Sequence, residues 1–542
     1  MDKLLQSRGE SKSSSHPISG QDLAATIGRS TLFRIVASLV QVGTRFLTVP
    51  IVIGYLGLEG YGVWSIIMTI AMCMRFGSTG IRSAFQKYVA EATGTGDVVK
   101  ANQLLSTGSA AMLALSIIGL IPAAIFSENL ARLIGIPEHL LDATAGAISL
   151  LAVIMVFSNV GASYEAIVMG GHRIDLTGKL ITVFTIVEAI AIIVLLHEGY
   201  GLLAMTAVML FSQIGYLLCC FVVSRHIWPA IQIAPKHLSR KVLPELITYA
   251  GSYQVVNILE VLYAAILPVM ILKWFGGDAA GVFAVVSRLV GAALLAQEAF
   301  LLPMLSGASL IHASRSAERM LTLVTTSFKT TLMLTMLPLA FIASQGTLVI
   351  LAWTGQNNPI FQDALWLMCV AAFFKSLSLL ALVLYRASGR AWMDNIRQVL
   401  RIVVLSLIIL FGHRFGFFGV IAGLAVAELS GWVFMFFVMT STFHGLTGRT
   451  LLPHAVKLTA TTLMVLLVGG MVANLSVPWE LSERLLATFK LGVISLTTLV
   501  TACLALLFTG TLSMSEINAM LRPSSVLKMK SGQQGWFQQS SS

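Results

Sequence analysis

Charge is what this chain has least of. Asp, Glu, Lys and Arg make up 11% of its 542 residues, under half the ~25% of ordinary soluble domains. No long polar stretch interrupts the apolar runs, which leaves no room for a sizeable soluble domain. Cysteine is scarce as well. Cys73, Cys219, Cys220, Cys369 and Cys503 all lie within apolar runs, without zinc spacing or a disulfide framework, and read as small hydrophobes. No cluster of His, Cys or Asp has ligand spacing, and neither a Gly-Lys phosphate loop nor a nucleophile elbow is present. These absences argue against a metal, a cofactor and an enzyme, and favour transport. Residues 1–30 lack the early apolar core of a signal peptide. Rich in Ser, Gly and charge, they read as a disordered cytoplasmic tail, and residues 511–542 read the same way.

What the chain has is hydrophobicity: 56% apolar residues and a mean hydropathy of +0.86. Such a chain uses lipid as part of its solvent, and a spanning helix needs ~20 apolar residues. Fourteen segments qualify, at about 31–55, 61–83, 104–126, 144–169, 174–196, 200–223, 247–272, 279–304, 322–344, 361–386, 395–413, 417–440, 455–475 and 487–510. The expected fold is all-α and polytopic. The net charge of +11 would suggest nucleic acid in a soluble protein. Here the basic residues concentrate in short loops, so the charge reports topology and no nucleic-acid partner is expected. Fourteen crossings put both tails on one side. That side collects most of the loop lysines and arginines, from Lys3 and Arg8 through Lys236, Arg240 and Lys241 to Lys528 and Lys530, whereas the other side holds Arg132, Lys273, Arg414, Arg484 and Lys490. Both termini are therefore expected in the cytoplasm.

The sequence also repeats itself. Tyr55-Leu-Gly57-Leu-Glu59 through Gly62-Val63-Trp64 is echoed by Trp274-Phe-Gly276-Gly-Asp278 through Gly281-Val282-Phe283, an offset of 219. Gly171 and Gly389, Gly201 and Gly419, and Ser212 and Ser430 continue it at 218. Six helices cross an even number of times, so each repeat starts on the same side, and the halves are expected to be parallel repeats about an axis along the membrane normal. The organisation expected is an N-lobe at 31–223, a linker at 224–246, a C-lobe at 247–440, and two further helices at 441–510. Pro50, Pro122, Pro268, Pro303 and Pro338 lie within these helices. Pro50 and Pro268, at near-equivalent repeat positions, are candidate bending points.

The run Tyr55–Trp64 resembles the first-loop signature of polysaccharide flippases of the multidrug/oligosaccharidyl-lipid/polysaccharide exporter superfamily. Phe76-Gly77-Ser-Thr-Gly80-Ile-Arg82, followed by Tyr88-Val-Ala90-Glu91-Ala92, resembles the second helix and the loop after it, and Gly199-Tyr-Gly201-Leu202 the outer turn before the sixth. The resemblance covers roughly 30–510. It implies a bacterial inner-membrane transporter with two lobes, in which helices one, two, seven and eight line the cavity between them. The chain departs from the family pattern at Arg75, where an acidic or small residue is usual, which puts an ion-coupling carboxylate on that helix in doubt.

Charges inside a bilayer cost about 2.5–3.5 kcal/mol or more each at a helix centre, so those retained usually face a cavity. Arg34, Arg82 and Arg401 lie near helix ends and have the option of snorkelling. Arg45, Arg75 and Arg288 are deeper, on helices one, two and eight. A guanidinium fork suits phosphate oxygens, so these three are candidate ligands for a diphosphate, with Arg82, Lys329 and Lys375 behind them. The alternative is structural pairing of each with a buried carboxylate. Among embedded acids, Glu260, Glu188, Glu428 and Glu165 are candidates for ion coupling, because a buried carboxylate can load and release a proton. Neutralising a neighbouring arginine is their other option.

The function expected is flipping of a lipid-diphosphate-linked oligosaccharide by alternating access. Its partners would be that glycolipid, membrane lipids and polysaccharide-synthesis enzymes. A drug or cation antiporter of the same superfamily is the competing reading and calls for acidic cavities.

Overall fold

The computed structural model describes residues 20–74, 79–171, 173–313, 317–390, 392–442, 448–473 and 483–508. Both expected tails lie outside this set, apart from the start of the first helix. Every regular element described is helical. In chain order the α-helices are α1 (Gly20–Met74), α2 (Thr79–Thr95), α3 (Val98–Ile125), α4 (Ser127–Ile134), α5 (Glu138–Gly170), α6 (Ile174–His197) and α7 (Leu202–Ile227). They continue as α8 (Leu243–Ala313), α9 (Ala317–Thr354), α10 (Ile360–Ala387), α11 (Trp392–Gly412), α12 (Gly416–Thr442), α13 (Gly448–Ala473) and α14 (Glu483–Phe508).

Eleven of these helices are long and apolar enough to cross a membrane. Two of them, α1 and α8, break once each, at Gly57 (φ 73°) and Gly276 (φ 84°). A side chain at either φ would be strained, so glycine is what lets each helix turn into a second arm without a loop. Counting both arms gives thirteen apolar segments, and α11, at the place of the expected eleventh segment, is not among the eleven helices. α11 has three charges among its first ten residues, Asp394, Arg397 and Arg401.

Several boundaries move from the sequence reading. The run at 55–64 is a helix interrupted at one residue, not a loop. The breaks fall at glycines, while Pro50 sits inside continuous helix. The stretch expected as a loop after the second helix is α2, which carries Lys87 and buries Ala84, Phe85, Tyr88 and Val89. A short helix, α4, was not legible. Repeat spacing persists in the backbone: the breaks are 219 apart, α3 and α9 begin 219 apart, and α6 and α11 begin 218 apart.

Helices α1–α7 pack among themselves, as do α8–α14, and the two sets meet mainly where α1 and α2 lie against α8. The buried core shows how they meet. On the side of Gly57 and Gly276, one apolar cluster runs through both sets, from Val49–Ile67 and Ile134–Leu151 to Leu267–Leu294 and Phe361–Ala372. On the opposite side the core divides. Phe85, Leu105, Met112 and Ile167 form one cluster, and Met304, Val324, Leu380, Tyr385 and Met435 form another. The sets are thus welded at the hinge side, while at the tail side their main cores are separate. A small patch of Tyr88, Leu104, Val242 and Leu246 joins α2 and α3 to the start of α8. The linker before α8 is strapped to α3 as well: Asn102, Ser106 and Thr107 hydrogen-bond its backbone at Gln232, Ala234 and Ser239.

At the weld, α1 and α8 touch backbone to backbone. A Cβ on Gly62 would run into the Gly277 carbonyl, and one on Gly281 into that of Leu58. A second joint lies one helix over. Pro50 has no N–H, so the Phe46 carbonyl loses its ordinary helical donor. The Trp353 indole of α9 supplies one, Nε1–H donating to Phe46 O at 3.0 Å. The two rings stack at 4.0 Å and 9°.

Candidate functional site

The first arm of α1 has two exposed faces of opposite chemistry. Ser38, Gln41, Arg45 and Thr48 recur at helical spacing and form a polar stripe. Leu39 and Leu47, 63% and 68% exposed, lie roughly across the helix. The first arm of α8 repeats the pattern, with Asn257, Glu260 and Ala264 on one face and Ile258 and Leu262 on the other. In a spanning helix the apolar face belongs to lipid, and the polar face to water or protein. Arg45 and Glu260 are both exposed on polar faces, at the level where the core divides.

The charges then fall into three settings. Arg45 is not isolated: Glu188 of α6 feels its charge and sits beside Ser212 of α7. Arg288, exposed on the second arm of α8, reaches the Tyr61 hydroxyl on the second arm of α1 and so lies at the seam between the sets. Among the described residues, no contact joins Arg45 to Arg288. Arg75 lies outside the described residues. The backbone of Arg82 is in α2, and its side chain is outside that description too.

Other candidates sit within one set. Lys329 of α9 is half-buried, close enough to His454 of α13 for their charges to interact. Lys375 is half-buried on α10, one residue from Ser376, whose carbonyl accepts from Gln297 of α8. Glu165 is half-buried on α5 and is coupled to Cys220 of α7.

Glu428 is buried and bound. The Arg401 guanidinium pairs with its carboxylate, and the Tyr263 hydroxyl donates to the same oxygen at 3.0 Å. Arg401 also stacks over the Tyr263 ring at 3.9 Å and donates to Gln398 Oε1 at 2.7 Å. Arg401 is only 4% exposed, so the snorkelling considered for it does not occur. It points inward because its partner carboxylate is there. About two turns earlier, buried Asp394 binds Arg397 at 2.7 Å and Arg386 at 3.2 Å. This network of α8, α11 and α12 was missed in the sequence. Arg401 stood out there only as a charge near a helix end.

Both sets therefore place a charged group at the meeting of three corresponding helices: Arg45, Glu188 and Ser212 in one, Tyr263, Arg401 and Glu428 in the other. In the first group Arg45 is exposed and Glu188 half-buried; in the second Arg401 and Glu428 are both buried.

A polytopic helical membrane protein of this build has relatives in fold. The MatE family model matches residues 35–195. No curated protein matches the sequence. Among solved structures, the lipid II flippase MurJ in an inward closed conformation superposes with a TM-score of 0.69 at 15% identity, covering 88% of this chain and 98% of that one. An inward-facing multidrug resistance MATE family transporter of the MOP superfamily gives 0.62 at 15% identity, covering 79% and 98%. The MATE multidrug transporter DinF-BH gives 0.58 at 17% identity, covering 77% and 95%. The chain has the fold these transporters share.

Proposed function

We propose that this protein is an alternating-access transporter that flips a lipid-diphosphate-linked oligosaccharide across the bacterial inner membrane for polysaccharide synthesis. The observation that carries the reading is the divided core. The sets share one core on the hinge side and keep separate cores on the tail side, with Arg45 exposed on α1 and Arg288 exposed on α8 at the seam beside Tyr61. In this reading 31–223 and 247–440 act as lobes, and the tail side, rich in basic loops, is cytoplasmic. The cargo then enters from the cytoplasmic side, because the weld shuts the other one. Arg45 and Arg288 attract the diphosphate, and Arg75 and Arg82 are placed by sequence to join them. Charge-assisted, forked hydrogen bonds to phosphate oxygens are what guanidinium does best. The lipid tail stays in the bilayer while the headgroup crosses.

Opening to the other side requires the weld to part. The Gly62–Gly281 contact and the Trp353–Phe46 joint are the bonds that would break. One observation favours a drug or cation antiporter: Glu260 is exposed on the polar face of α8, where a cationic drug or a proton would meet it.

Reconstituted vesicles separate the two readings. A fluorescent polyprenyl-diphosphate oligosaccharide should cross in the presence of the protein, with loss of most of the rate in Arg45→Ala and partial recovery in Arg45→Lys. Transport of a lipophilic cation that depends on Glu260, with no glycolipid flipping, would overturn the proposal.

A further inference from the structure

A cavity of about 450 Å³ opens on the hinge side, away from the divided core. Its walls are Pro50, Ile51, Gly54 and Tyr55 of α1, Ile193 of α6 and Arg484 of α14. That volume is within the ~300–1,000 Å³ of small-molecule sites. The chemistry is divided by depth. Pro50, Ile51 and Ile193 make an apolar slot. Gly54 leaves it open, since nothing lies within 4 Å of where its Cβ would be. The rim is polar: the Tyr55 hydroxyl is fixed by His197 Nδ1 at 3.0 Å, and Arg484 supplies the cation. None of the six lining residues is a carboxylate.

Arg484 is held in place rather than loose. Its Nε and Nη2 donate to the carbonyls of Ala352 and Trp353, at 3.3 Å and 2.9 Å, in the last turn of α9. The charge is thus fixed at the mouth of an apolar slot, at the end of the spanning helices where headgroups lie. A basic pocket between membrane helices suits a lipid phosphate, and the slot suits the first carbons of an acyl chain.

We infer that this cavity is a binding site for an anionic glycerophospholipid of the hinge-side leaflet, with the phosphate diester at Arg484 and an acyl chain between Pro50, Ile51 and Ile193. The site is independent of the transport cavity and of its cargo. It bridges the two sets, because α1 and α6 belong to one and α14 to the other. Arg484 also holds the carbonyl of Trp353, the residue that clasps Phe46. A bound lipid therefore braces the same joint that keeps the hinge side shut, and its occupancy should favour the tail-open state.

The test is lipid retention by native mass spectrometry of the full chain, in nanodiscs of phosphatidylglycerol and phosphatidylethanolamine, after release into detergent. Wild type should keep one phosphatidylglycerol, in preference to phosphatidylethanolamine. Arg484→Ala should lower the retained fraction at least tenfold, and Arg484→Lys should lower it less. Gly54→Leu fills the slot from α1, where nothing lies within 4 Å of the Cβ position, and it should lower retention equally. That second variant keeps the test sound if loss of Arg484 loosens α14. Retention unchanged by Gly54→Leu, equal retention of the two lipids, or full displacement by millimolar inorganic phosphate would each overturn the assignment.

Discussion

Trp353→Phe should loosen the hinge side by a predictable amount. Phe keeps an aromatic ring to stack on Phe46 but removes the indole N–H that donates to the Phe46 carbonyl. That carbonyl has no helical substitute, because Pro50 occupies the donor position. An acceptor left unsatisfied in the interior costs about 1–3 kcal/mol. Both residues are only half-buried, so water recovers part of this, and about 1 kcal/mol is the reasonable figure. If the bond exists only in the closed-hinge state, the equilibrium should shift about fivefold towards the hinge-open state. Spin labels on Leu133 of α4 and Asn357 after α9, in a background without the five native cysteines, report that distance by pulsed dipolar spectroscopy. The long-distance population should rise about fivefold. Pro50→Ala gives an internal control: it restores an N–H for Phe46, so Trp353→Phe should have much less effect in that background. An unchanged distance distribution, or the same shift with and without Pro50, would refute the reasoning.

Three further outcomes follow from the same geometry. Gly62→Ala drives a methyl into the Gly277 carbonyl and should lower the melting temperature and raise labelling of Cys369, which is buried in the hinge-side core. Glu428→Gln should destabilise the protein by about 3–5 kcal/mol, since it strands a buried guanidinium; the double change Arg401→Met with Glu428→Leu should recover most of that loss in a thermal melt. Gly276→Ala forces a side chain to φ 84° and should cost about 1–2 kcal/mol in denaturation.

What could be read from the sequence depends on the range of the interaction involved. The apolar helices were legible because hydrophobicity is a local signal, and the offset of 219 survived because Gly57 and Gly276 must both take a φ that glycine tolerates best. The exposure of Arg45 and Glu260 was half legible: their charge marked them, but only packing shows which face each one occupies. What stayed hidden was pairwise and distant. Trp353 and Phe46 are 307 residues apart, and nothing in the proline's neighbourhood names its donor. Glu428 had two readings, ion coupling or neutralising an arginine, and nothing local named Arg401 as its partner. Arg45 looked uncompensated until α6 brought Glu188 near. The prolines were candidate hinges on sequence grounds, yet the breaks fall at glycines, because reversing a helix within one residue needs a positive φ and a missing N–H does not supply one.

Binding of the cargo's charged head is the most direct test of the central claim. Fluorescence or calorimetric titration of the purified protein with a short-chain polyprenyl diphosphate should saturate. The affinity should fall at least tenfold in the Arg45→Ala, Arg288→Ala double variant and should hardly change in Glu260→Gln. Equal affinity in the double variant, or saturable binding only of a cationic dye with dependence on Glu260, would contradict the account.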